Sequence, residues 1–285
     1  MPDSLPIVDT HLHLWDPDAL NYPWLQDIPI LNRPYLLDDY NLATEGLNID
    51  KMVFLQCEVD FAQYRQEADW VTELALHDRR IQGIVPWAPL EKGEKASQEV
   101  AALAQNPLIK GVRRIIQFED DPAFCLAPEF LEGVRLLADF DLHFEFCLKG
   151  DDQFSNAIRL VQQCPEVRFI LDHIGKPFIK EGIQTPWRDL LKQFADLPNT
   201  WCKISGLVTE ADFENWTAQD LQPYIDEVIR RFGWDRILFG GDWPVAVQAS
   251  TYARWVETLR QTDANASSAN QQKLFHDNAI AFYRL

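Results

Sequence analysis

Positive charge is scarce in this chain. Lys and Arg total 26 against 44 Asp and Glu among 285 residues, a formal net charge of -18 at pH 7. A surface of that sign repels phosphate backbones, which argues against nucleic acid as a partner and against polyanionic ligands unless local arginines overrule the general field. Long apolar runs are missing too. None approaches the ~20 residues that cross a bilayer, and Met1-Pro2-Asp3-Ser4 carries no basic leader, so no membrane association is expected. Cysteine is sparse: Cys57, Cys125, Cys147, Cys164 and Cys202 are odd in number and scattered, with no C-x-x-C pair. They read as reduced thiols in a cytoplasmic protein. No glycine-rich phosphate loop follows the first apolar run, which argues against a dinucleotide-binding open sheet. No internal repeat, low-complexity tract or domain boundary divides residues 1–285, and that length suits one α/β domain.

What is present is a regular alternation. Short runs rich in β-branched and aromatic residues occupy 7–13, 51–57, 81–87, 109–117, 143–148, 167–173, 200–205 and 236–242. Most are nearly continuous in apolar character, as parallel strands covered by helices should be. Amphipathic segments lie between them at 61–78, 94–105, 128–140, 152–163, 185–195, 218–232 and 250–259, and 268–283 closes the chain. In 61–78 the apolar stripe is read through Trp70, Leu74 and His77. Strand and helix repeated in this way give a single-domain (β/α)8 TIM barrel. One connection is unusual: residues 14–37 hold Pro17, Pro23, Pro29 and Pro34 together with Trp15, Tyr22 and Trp24. A loop of this length after the first strand would overhang the C-terminal face, where active sites of this fold gather.

Polar groups mark the end of every expected strand. His11 and His13 end the first; their spacing puts both rings on one face, where they can offer two nitrogens to one metal or hydrogen-bond as a structural pair. Gln56 and Glu58 follow from the second strand and Trp87 from the third. Arg113 and Arg114 come from the fourth, Glu145 and Lys149 from the fifth, and Asp172, His173 and Lys176 from the sixth. Ser205 ends the seventh, and Asp242 and Trp243 the eighth. Consecutive Arg113 and Arg114 point to opposite faces, so one of the two is left for a structural salt bridge.

The ordered motifs resemble the amidohydrolase superfamily, and within it the branch of sugar lactonases. They are Asp9-Thr10-His11-Leu12-His13-Leu14-Trp15, Tyr22-Pro23-Trp24-Leu25, Gly111-Val112-Arg113, Asp172-His173-Ile174-Gly175-Lys176-Pro177, Lys203-Ile204-Ser205-Gly206-Leu207 and Gly240-Gly241-Asp242-Trp243-Pro244-Val245. The resemblance implies hydrolysis of a small-molecule sugar lactone at a site built from His11, His13, His173 and Asp242, with Arg113 as the site arginine. It further implies these four as the ligands of a single divalent ion, zinc by choice, with metal-free catalysis left open. Many members of the superfamily bridge two metals through a lysine or glutamate late in the fourth strand. Arg113 and Arg114 stand there in this chain, and His143 opens the fifth strand at the wrong end, so a binuclear centre is not expected.

Lactone hydrolysis requires an activated water and a place for negative charge on the carbonyl oxygen. Asp242 is the expected base, Arg113 and the imidazoles the expected stabilisers, and Asp242 or His173 the group that protonates the leaving hydroxyl. Trp15, Trp24, Trp87 and Trp243 are candidates for stacking on the sugar ring, and Gln56, Glu58 and Lys176 for reading its hydroxyls. Two alternatives remain: a decarboxylase or hydrolase of aromatic-derived lactone acids, and a non-catalytic binding barrel. The first needs several cations, and the chain offers one strongly placed arginine.

Overall fold

The computed structural model describes residues 5–262 and 266–285, so the reading of residues 1–4 as lacking a basic leader lies outside the described residues. Eight strands form where apolar runs occur: β1 Ile7–Leu12, β2 Ile49–Leu55, β3 Ile81–Val85, β4 Gly111–Ile115, β5 His143–Cys147, β6 Phe169–Leu171, β7 Thr200–Ile204 and β8 Ile237–Phe239. They pair in parallel as β1-β2-β3 and β4-β5-β6-β7-β8. Backbone hydrogen bonds cross both seams. Ile84 N donates to Leu108 O at 2.7 Å and Arg113 N to Pro86 O at 3.0 Å, while Asp242 N donates to His11 O and His13 N to Trp243 O, both at 2.8 Å. The eight strands therefore make one ring, a (β/α)8 barrel.

Helices cover the outside: α1 Leu37–Ala43, α2 Tyr64–His77, α3 Ser97–Ala104, α4 Pro128–Asp139, α5 Asp151–Gln163, α6 Trp187–Ala195, α7 Ala218–Phe232, α8 Tyr252–Thr262, α9 Ser268–Gln272 and α10 Asn278–Tyr283. Helix α7 shows why the sequence folds this way. Thr217 N donates to the Asp220 carboxylate at 2.8 Å, a capping box that satisfies the first turn. Leu221, Ile225, Val228 and Phe232 then recur on one buried face, and Gly233 ends the helix at φ 65°. In α2 the buried stripe runs through Glu67, Ala68 and Val71, one step around the helix from the face expected. Trp70 and Leu74 are half-buried at its edge and His77 is exposed. Helix α1 was not legible in the sequence: it has seven residues, of which only Tyr40 is buried, too few to display a period.

The expected long connection after β1 is compact rather than loose. Trp15 and Tyr35 exchange backbone hydrogen bonds of 3.1 and 2.9 Å across it, and the Trp15 indole N–H donates to Arg33 O at 2.9 Å. Inside the barrel, charge replaces part of the usual aliphatic filling. Lys203 of β7 is ion-paired with Glu145 of β5 and stands 3.3 Å from Asp172, all three fully buried. The Tyr283 hydroxyl donates to Glu145 at 2.7 Å from the C-terminal end of the chain, and His143 Nε2 lies 2.7 Å from the same oxygen. Glu145 thus belongs to the barrel interior and not to its mouth, because its side chain points inward from mid-strand.

Candidate active site

The strands end on residues that ordinary extended backbone does not accommodate. Glu58, His173, Lys176 and Asp242 have φ of 52, 53, 48 and 53°, the left-handed region that costs a non-glycine residue ~1–3 kcal/mol. All four line one cavity of about 520 Å³ over the C-terminal ends of the strands. The kinks at His173 and Asp242 turn two side chains inward that a continuing strand would send elsewhere.

At the inner end three imidazoles surround one carboxylate oxygen. Asp242 Oδ1 is 3.7 Å from His11 Nε2, 3.8 Å from His13 Nε2 and 3.9 Å from His173 Nε2. Hydrogen bonding fixes two of the rings. His13 Nδ1 lies 2.9 Å from Leu55 O; a carbonyl only accepts, so Nδ1 carries the proton and Nε2 a free lone pair. His11 Nε2 accepts from Arg113 Nη1 at 3.0 Å, which leaves its Nδ1–H facing Asp172 Oδ1 at 3.5 Å. His173 Nδ1 pairs with the Ser205 hydroxyl at 2.9 Å.

Burial, helped by Lys203 and Arg113, keeps His11 well below the usual imidazole range, and burial with Arg113 lowers His13 to about 3. His173 is lowered by burial and by His11. The rings are therefore neutral at pH 7, the form that binds a metal. Burial raises Asp242 to about 7 despite Lys176 and Arg113. Asp172 is equally buried, yet Lys203 and Arg113 hold its carboxyl below the ordinary carboxylate range. Two adjacent carboxylates are thus driven apart, one poised near neutrality and one held charged.

His11, His13 and Asp242 have ligand atoms within 4.8 Å of one another, and His173 falls in a second such group with His11 and Asp172. Neutral rings with Nε2 lone pairs aimed at a carboxylate fit a divalent ion. A divalent ion held here would draw on the same His11 lone pair that now accepts from Arg113.

Of the other residues expected at the site, Trp15, Trp24, Glu58, Arg113 and Lys176 line the cavity. Gln56 lies behind it: its carbonyl accepts from Arg113 and its side-chain amide donates to Glu58 at 2.8 Å. Trp87 is buried against Phe61, stacked at 4.9 Å, and Trp243 packs edge-on to Tyr35 and Tyr40. Both indoles satisfy the core before they reach the cavity. Arg114 faces outward to Glu119 at 2.6 Å, as its parity requires.

Sequence reasoning gave no role to Asp9. Its Oδ1 accepts from the backbone N–H of His11 at 2.9 Å and of Gly241 at 2.8 Å, and its Oδ2 from Tyr40 and Tyr252, both at 3.0 Å. It ties the end of β1 to the Gly-Gly-Asp turn after β8. The signal was a carboxylate flanked by β-branched residues in a strand buried along its whole length. Gly206 was also passed over. A Cβ there would stand 2.4 Å from His173 Nδ1, so only glycine lets the chain pass behind that ring.

A family model described as Amidohydrolase matches residues 8–285. An L-fucono-1,5-lactonase of Burkholderia multivorans is 30% identical over 98% of this chain and 96% of its own. An L-rhamnono-gamma-lactonase of Scheffersomyces stipitis is 24% identical over 98% of each chain. The crystal structure of an amidohydrolase from Burkholderia multivorans with bound zinc superposes with a TM-score of 0.88 at 27% identity, covering 98% of this chain and 99% of that one. With the barrel, the imidazole cluster and the strand-end carboxylate in place, the match over nearly the whole sequence decides the matter: the chain belongs to the amidohydrolase family.

Proposed function

We propose that this protein hydrolyses the ring ester of a neutral, sugar-derived lactone to the open hydroxy acid. The observation that carries the reading is Asp242, a buried carboxyl raised to about 7 and ringed by three imidazole Nε2 atoms at the inner end of the cavity. The similarity to two enzymes named for sugar lactones supports the substrate class.

A carboxyl poised near neutrality can take a proton and give it back. Water adds to the lactone carbonyl while its proton passes to Asp242. Negative charge then collects on the carbonyl oxygen. Since the imidazoles are neutral, the stabilising charge comes from a cation of the lining, and Arg113, hydrogen-bonded to His11 and held in place by Gln56 O and by Asp172 at 3.5 Å, takes that role. Collapse breaks the bond to the ring oxygen, and the proton on Asp242 returns to the leaving alkoxide. The new acid ionises, so each turnover releases one proton at neutral pH. His11, His13 and Asp242 would hold a single divalent ion, zinc as in the Burkholderia structure. When bound, such an ion supplies Lewis-acid polarisation and a water acidified to a pKa of about 7.

A dicarboxylate substrate is disfavoured by charge. Arg113 and Lys176 are the two cations of the lining, each already near a carboxylate, and Glu58, Asp60 and Asp242 line the same space. The backbone strain gathered at the cavity favours catalysis over passive binding. A pH-stat panel of 1,4- and 1,5-aldonolactones tests the proposal. Turnover of at least one member is expected; binding without turnover across the panel would return the non-catalytic barrel.

A further inference from the structure

The cavity has two unlike ends. Its inner end presents His13, Arg113, His173 and Asp242. Its outer wall is mostly hydrocarbon, drawn from the end of β4 and the loops after β1, β2, β4 and β8: Trp24, Ile28, Phe61, Ile115, Phe118 and Val245. The polar handles of the indoles are already used. Trp24 Nε1 donates to Cys57 O at 2.8 Å and Trp15 Nε1 to Arg33 O at 2.9 Å, so both rings offer the cavity only apolar surface. At the rim Phe118 is 75% exposed and Phe61 49% exposed, two large apolar side chains left uncovered beside a ligand site.

A bare aldonolactone carries hydroxyls around its ring, and hydroxyls pressed against hydrocarbon lose their hydrogen bonds to water without replacement. Besides the four groups of the inner end, the polar side chains of the lining are Glu58, Asp60, Gln117, Lys176 and Thr209, set in a wall that is mostly apolar. The volume of about 520 Å³ falls in the range of ~300–1,000 Å³ that encloses ligands larger than one sugar ring.

We propose that the substrate is a lactone whose ring carries an apolar substituent, with the ring ester against Asp242 and the substituent against the wall formed by Phe61 and Phe118. This rests on the lactonase reading above and names the part of the substrate that the reading leaves open. Each methylene buried on that wall raises kcat/KM roughly fourfold until the chain passes the rim into water.

The test is a series of 5-alkyl δ-lactones from methyl to heptyl, assayed by proton release beside a panel of aldonolactones. Expected is a rise of about fourfold per carbon over the first few members, then a plateau. In the Phe61→Ser/Phe118→Ser double variant the slope, referred to the methyl member, flattens. Turnover of an aldonolactone with a flat, falling or undetectable alkyl series overturns the inference and leaves the lactonase reading standing. A slope that survives in the double variant overturns the placement on this wall. No turnover in either set removes the lactonase reading, and the inference with it.

Discussion

Arg113 donates a hydrogen bond of 3.0 Å to Nε2 of His11, the same nitrogen that stands 3.7 Å from Asp242 Oδ1. One lone pair thus serves either a guanidinium or a metal ion, and the positive charge that assists the oxyanion also repels a cation from the ligands. Arg113→Met separates these effects. Zinc affinity should tighten by about tenfold or more, since a buried unit charge a few ångströms away is worth at least ~1.4 kcal/mol. Turnover should fall ~10²–10³-fold, the usual cost of removing an oxyanion partner. Competition with a chromogenic chelator and steady-state kinetics read the two sides.

Zinc binding should depend on pH through Asp242. Burial holds its carboxyl up to about 7, and it must lose that proton to become a ligand, whereas His13, lowered to about 3, is already neutral. Affinity therefore falls about tenfold per pH unit below 7 and levels off above it. Calorimetric titration between pH 5.5 and 8 measures the slope, which should vanish in Asp242→Asn.

Ser205 holds the far nitrogen of His173 at 2.9 Å and does so from a fully buried position. Removing it with Ser205→Ala frees the ring to turn and to change tautomer. The expected loss is ~10–100-fold in kcat or in zinc affinity, the range for partners that orient a site histidine. Gly206→Ala should be worse, because a Cβ would collide with the same ring at 2.4 Å on a backbone with φ of 64°.

The strands were legible because apolar runs bounded by turns survive any choice of partner. The site motifs were legible because strand ends in a barrel all face one mouth. What sequence could not give was long-range partnership. Asp9 acts on Gly241 and Tyr252, and Lys203 on Glu145 and Asp172, pairs that only ring closure brings together. Residue type misled at Trp87 and Trp243. A tryptophan at a strand end fits a stacking platform or a packed core equally well, and only the neighbours, Phe61 and Tyr64 or Tyr35 and Tyr40, decide between them.

Glu67 of α2 carries a stability cost that varies with pH. It is fully buried, and burial raises its carboxyl from 4.5 to about 8 despite a hydrogen bond from Cys57 N at 3.2 Å. Below pH 4.5 both folded and unfolded chains hold the proton. Between 4.5 and 8 only the folded chain does, so this contribution to stability is lost as pH rises, by about 1.4 kcal/mol per unit, and levels above 8. Glu67→Gln keeps an acceptor for Cys57 and removes the titration. Urea unfolding at pH 5.5 and 8.5 should show the variant gaining a few kcal/mol on the parent at the higher pH.

The most direct measurement is proton release from aldonolactones by the parent and by Asp242→Asn, followed from pH 6 to 9. Expected is a parent kcat/KM that rises with a midpoint near pH 7 to a plateau above it, and a variant slower by ~10³-fold or more, with that rise gone and substrate still bound. A variant that hydrolyses the lactone at the parent's rate, with the same pH profile, would contradict the assignment of Asp242 as the group that takes the proton from water.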